Sequence, residues 1–181
     1  MNIVKATTVG IDKPIQNFQT YLYGKLTDTW TLSDSNSLFT GRCYKNQVEE
    51  GVIAEIYLGS NEYKEVFLDD TKKAQMFFVV DDERNFSDTT IIGTNVSIIF
   101  IVNAEKIYPD GRYDEEIRND VLKLLDTDLL GFTFTSLETG IDNVFREFSG
   151  SRINVGMKYR DMHPFHCFRL NFNLTYTKDL C

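Results

Sequence analysis

The sequence predicts an α+β fold: a mainly antiparallel β-sheet packed against two amphipathic helices, in a single domain over 1–181. Three observations predict it. Two stretches repeat apolar residues at three- and four-residue spacing, a strand-rich middle separates them over 43–103, and the closing segment alternates apolar and polar residues from Phe168 to Tyr176. The order of helix, several strands, helix, strand, short helix and strand lacks the regular alternation of a doubly wound parallel sheet.

The first helix is placed at about 13–27. In "DKPIQNFQTYLYGKL" Asp12 is the expected N-cap, Pro14 sits near the first helical position, and Ile15, Phe18, Leu22 and Leu26 share a face. The next stretch, "TDTWTLSDSNSLFTGR", is dominated by Ser, Thr, Asp and Asn. It reads as a connecting loop tacked down by Trp30, Leu32, Leu38 and Phe39.

Four strands follow in "GVIAEIYLG", "YKEVFL", "KAQMFFVV" and "NVSIIFIVN", each bounded by Gly, Asn or Asp. The "GSNE" between the first two is a hairpin signal. "VSIIFIV" is apolar on both faces, which makes it central and covered on one side by a helix. "YPDGR" is a turn, and the second helix is placed at about 113–126, with Tyr113, Ile117, Val121, Leu124 and Leu125 on one face and Asp114, Glu115 and Glu116 in its first turn.

"GFTFTSLETG" is another strand, with Phe132, Phe134 and Ser136 assigned to one face, and "GIDNVFREFSG" is a short amphipathic segment carrying Val144, Phe145 and Phe148. The terminal strand is placed at about 165–176. Phe168, Leu170, Phe172, Leu174 and Tyr176 form its core face, against Arg169, Asn171, Asn173 and Thr175.

Composition narrows the function classes. Nineteen basic against twenty-seven acidic residues give a net charge of -8, which disfavours a nonspecific grip on phosphate backbone or on an anionic membrane surface. The start "MNIVKATTVG" lacks the basic segment and apolar run of a signal peptide. With Cys43, Cys167 and Cys181 odd in number, synthesis in a reducing cytoplasm is expected. The longest apolar run, "VSIIFIV", is far short of the ~20 residues that span a bilayer as a helix.

"HPFHCFRLNFNLTY" gathers both histidines and one cysteine. His163, His166 and Cys167 are the residue types of a zinc site, and a Cys–His pair can serve nucleophilic catalysis. Within a strand, however, His166 and Cys167 point to opposite faces, and no fourth ligand or orienting third group is identifiable. The packing reading is therefore preferred, with no metal, cofactor or catalytic residue assigned.

The carboxylate clusters Asp69-Asp70 and Asp81-Asp82-Glu83 lie where apolar strands end and read as solvated turns rather than a cation site or an acid–base pair. No phosphate-binding glycine loop or G-x-S-x-G elbow occurs. Fourteen Phe and nine Tyr are an aromatic stock compatible with extra interface area as well as with the core.

The helix "IQNFQTYLYGKL", the polar connector, the strand-rich middle, the helix "YDEEIRNDVLKLL", the approach Leu137-Glu138-Thr139-Gly140-Ile141 and the strand opened by "HPFHCFRLNFNLTY" together resemble the tail-terminator and neck-completion proteins of tailed bacteriophages. The resemblance is one of layout and spans most of the chain; the 43–103 region is long for the smallest members.

It implies a non-enzymatic virion subunit, made in the host cytoplasm, that forms a ring, commonly a hexamer, capping the tail tube. Its partners would be copies of itself and other tail-tube and neck proteins, and DNA would only pass through the lumen. Rival readings are another ring or baseplate protein, a small cytoplasmic metal-binding protein or enzyme using His163, His166 and Cys167, and a monomeric module that binds a partner along a sheet edge.

Overall fold

Helix α1 (Asp12–Trp30) buries Ile15, Phe18, Leu22, Leu26 and Trp30, the face that the spacing predicts. It runs a turn beyond the expected end, because Trp30 is itself a core residue, 1% exposed, whose indole Nε1 donates to Asp120 Oδ2 at 3.0 Å. The helix ends at Thr31 in the left-handed region. Its start also differs from expectation. Ile11 occupies the N-cap position without a side-chain bond, and Asp12 is the first helical residue, paired with Lys5 and Arg42.

The computed structural model describes residues 1–86, 90–125, 130–150 and 163–178. Part of the expected loop is a strand: β1 (Ser37–Arg42) pairs in parallel with β5 (Ala74–Val80). Its Ser and Thr content hid it, yet Phe39 is fully buried and Thr40 donates to Met76 O. The outer edge of β1 is covered by residues 1–3, through Ile3 N–H to Phe39 O and Phe39 N–H to Met1 O, both 2.8 Å.

β2 (Tyr44–Val48), β3 (Gly51–Gly59) and β4 (Glu62–Glu65) form a separate three-stranded antiparallel sheet. The hairpin between β3 and β4 turns on Ser60 and Asn61, whose φ values of 51° and 63° suit a primed two-residue turn.

β6 (Asn85–Phe86), β7 (Ile91–Asn103), β8 (Phe132–Thr139) and β9 (Phe165–Thr177) complete the main sheet, ordered β1-β5-β7-β9-β8 with β6 beside β7. All pairings but β1 with β5 are antiparallel. β7 is central, as its apolar sequence requires, and pairs with β9 without interruption from Ile91↔Thr177 to Asn103↔Phe165. A register shift in β8 between Phe134 and Ser136 leaves Ser136 exposed and brings Leu137 opposite Leu170. Leu137, and not Ser136, continues the core face.

After β7 come α2 (Ala104–Ile107) and α3 (Asp114–Leu122), and α4 (Ile141–Val144) follows β8. The main sheet has two covered faces. Helices α1 and α3 bury Phe18, Trp30, Phe78, Phe100, Ile117, Val121, Phe168 and Phe172 on one. The small sheet and the α4 segment bury Ile56, Phe77, Ile99, Val144, Phe145, Phe148 and Cys167 on the other. Both clusters share the strands of one sheet, so the fold is a single α+β domain, and the cover on β7 is a helix on one side and a sheet on the other.

Candidate functional site

β9 separates the residues that looked most chemical in sequence. His166 shares the α1/α3 face with Phe168, on which its ring stacks at 5.4 Å, and its Nδ1 lies 3.8 Å from Asp114 Oδ2. Burial holds its pKa below the ordinary value, outweighing the Asp114 carboxylate, and Arg118 and Arg112 push the same way.

Cys167 points to the opposite face among Phe77, Ile99 and Phe148. Burial alone raises its thiol well above the ordinary range, and burial likewise pushes Cys43 up to about 12. Neither forms a thiolate nucleophile near neutrality. His163 sits outside the core, its Nε2 2.9 Å from Glu105 Oε1, a different carboxylate from the one beside His166. Cys181 lies outside the described residues. Among the described residues no three His, Cys, Asp or Glu side chains converge as a metal site.

The carboxylate clusters are occupied with local structure. Asp69 Oδ1 accepts from the Thr71 N–H at 2.9 Å and the Thr71 hydroxyl at 2.6 Å, an Asx-type turn. Asp81 Oδ2 accepts from Asn95 Nδ2 at 3.1 Å, and Asp82 lies 3.8 Å from Lys45. Arg84 bonds the carbonyls of Asp81 and Glu83, which closes this turn against β7 through Thr94.

Sequence periodicity missed the most heavily bonded side chain of the described core. Arg169 occupies the polar register of β9, yet it is 1% exposed. Its guanidinium makes a two-pronged pair with Glu147, Nη1 to Oε2 at 2.6 Å and Nη2 to Oε1 at 2.7 Å, and also donates to Ser97 Oγ at 2.8 Å and Asn171 Oδ1 at 3.1 Å. Burial alone would raise the Glu147 carboxyl, but the bonds and charge of Arg169 outweigh it and hold the group below its ordinary value. The pair pins the segment after α4 to the sheet. Both of its charged groups are engaged with each other in the described residues.

The segment so pinned supports the small sheet. Gly51, at φ +130°, meets Gly150 backbone to backbone, and Gly150 N–H donates to Val52 O at 3.0 Å. A Cβ at Gly51 would lie 2.6 Å from Ser149 Oγ and 2.9 Å from Gly150 N, so the close approach requires glycine.

The small sheet in turn presents Glu62, Tyr63 and Lys64 of β4 to solvent, with Tyr63 53% exposed and packed edge-on against Tyr44. Between β1 and this sheet runs a groove of about 360 Å³ whose lining includes Met1, Ile3, Leu38, Leu58, Val66 and Phe67. What the arrangement offers is surface: a main sheet ending in β8 at one side, and a second sheet with end strands β2 and β4 at another.

No family model, curated protein or solved structure matches the chain. Among the described residues no helix is long and apolar enough to cross a membrane.

Proposed function

We propose that this chain is a structural virion protein of a tailed bacteriophage, a ring-forming tail-terminator or head-tail connector subunit. The reading is supported most by the two unlike sheet ends on one domain: β8 closes the main sheet, while β2 and β4 close the smaller sheet on its opposite face. A ring built head to tail needs two different complementary patches on each subunit, and strand ends with aromatic and charged side chains supply them.

The layout likeness to tail-terminator proteins supplies the class. The acidic balance of the chain suits a subunit whose lumen passes DNA without gripping it.

Labelling of virions with antibody raised against the purified chain tests this reading. Label at the tail-to-head junction is the expected outcome; absence of the chain from purified virions rejects the reading.

The groove beside β1, whose apolar lining is rimmed by Lys64, Glu65, Asp69 and Lys72, favours one second reading, a monomeric module that takes an extended segment of a partner protein. That reading expects a chain that stays monomeric in the presence of tail tubes.

A further inference from the structure

At the start of α1, a small cavity lies among Lys5, Asp12, Gln16, Gln19, Gly41 and Arg42, with a volume of about 20 Å³. Three buried polar atoms there make no hydrogen bond within the chain: Asp12 Oδ1, Gln19 Oε1 and Arg42 Nε. Buried polar atoms in folded proteins are paired with protein or with ordered water, and three that lack a protein hydrogen bond border this one cavity.

Gln19 is completely buried, and its amide orientation is fixed by three acceptors around Nε2: Asn2 Oδ1 at 2.7 Å, Ile3 O at 2.7 Å and Phe39 O at 3.1 Å. Oε1 must therefore face the cavity as an acceptor. Asp12 Oδ2 already accepts from Lys5 Nζ at 2.7 Å, which leaves Oδ1; Arg42 Nε stands 3.4 Å from it in an ion pair without hydrogen-bond geometry.

We propose that this cavity is a binding site for a single ordered water that donates to Asp12 Oδ1 and Gln19 Oε1 and accepts from Arg42 Nε. The donor and acceptor count selects it. Of the polar atoms that border the cavity, two acceptors and one donor are buried without a hydrogen bond in the chain, and water offers two donors and an acceptor. An anion would face two acceptors, an ammonium group would face an N–H, and a lone hydroxyl has only one proton to give.

Volume agrees, since one water needs roughly 10–15 Å³ by the same measure and typically makes about three bonds. The water joins three parts of the chain: α1 through Asp12 and Gln19, β1 through Arg42, and residues 1–3 through the Gln19 amide. It completes the attachment of those residues along β1, at a helix start that lacks a side-chain cap.

The test is a high-resolution crystal structure of the full chain, with water-to-protein nuclear Overhauser spectra in solution, on wild type and Gly41→Ala. A Cβ at Gly41, which lines the cavity, would lie 3.4 Å from Gln19 Oε1. The expected wild-type result is one water within hydrogen-bonding distance of all three atoms and a long-lived water signal at the Gln19 side-chain amide. In Gly41→Ala the water is lost and the amides of Ile3 and Phe39 exchange about tenfold faster.

An empty cavity with Arg42 Nε bonded directly to Asp12 overturns the proposal. So does a metal ion with oxygen contacts of ~2.3–2.6 Å, or a Gly41→Ala chain that keeps the water and the wild-type exchange rates. The wild-type measurements decide the point even where the variant fails to fold.

Discussion

The two faces of the main sheet are built from alternate residues of the same strands and follow different rules. On the α1/α3 face, Phe168, Leu170, Phe172 and Leu174 of β9 meet aromatic and aliphatic partners, and Phe100 stacks on Phe168 at 4.9 Å with the rings 8° from parallel. On the other face, Cys167 lies in an apolar cluster beside the Arg169–Glu147 pair and its bonds to Ser97 and Asn171. The first face gathers stability from buried area and shape, which have no fixed direction. The second uses directed bonds to set where the α4 segment, and with it the small sheet, sits. One of the two surfaces proposed for assembly, the small sheet, is carried by the directed face.

The largest expected effect falls on the apolar face. Phe100→Ala should lower the unfolding free energy by about 3–5 kcal/mol, because it opens a cavity among rings that cannot collapse, as chemical denaturation would show. Glu147→Ala should cost roughly 3 kcal/mol, since it leaves Arg169 buried beside an absent partner. The double change Arg169→Met with Glu147→Leu should recover most of that loss, because it removes both charges together. Failure of this rescue would mean that the second face, too, is set by shape.

Gly51→Ala should cost roughly 1–3 kcal/mol through a side chain forced into a left-handed position against Ser149 and Gly150. Hydrogen exchange should localise the loosening to β2, β3 and β4.

The smallest effect separates the faces by pH. His166 titrates below the ordinary 6.5, so the stability it contributes is full above that value and is lost as pH falls from it. Glu147 titrates below 4.5, so its contribution persists to lower pH and is lost only as pH falls from there. Denaturation midpoints measured across pH should lose the first decline in His166→Leu and keep the second.

The apolar face was largely legible in the sequence. Ile15, Phe18, Leu22 and Leu26 of α1, Ile117 and Val121 of α3 and the even-numbered residues of β9 announce themselves by period, because hydrocarbon must leave water whatever it meets. β1 was not legible. Ser37, Thr40 and Gly41 look like loop residues, and only the pairing with β5 from one side and residues 1–3 from the other makes a strand of them.

The directed face escaped for a related reason. Arg169 stands in a polar register that alternation assigns to solvent, and its partner Glu147 is 22 positions away in a different element. Alternation did place His166 and Cys167 on opposite faces of β9, where the structure has them.

The measurement that bears most directly on the assembly reading is the mass of the purified chain by light scattering over a concentration series, alone and with tail tubes added. A ring subunit gives a closed oligomer of defined subunit number, in the free protein or on the tubes. A chain that stays monomeric at every concentration and does not associate with tubes would contradict the assembly reading.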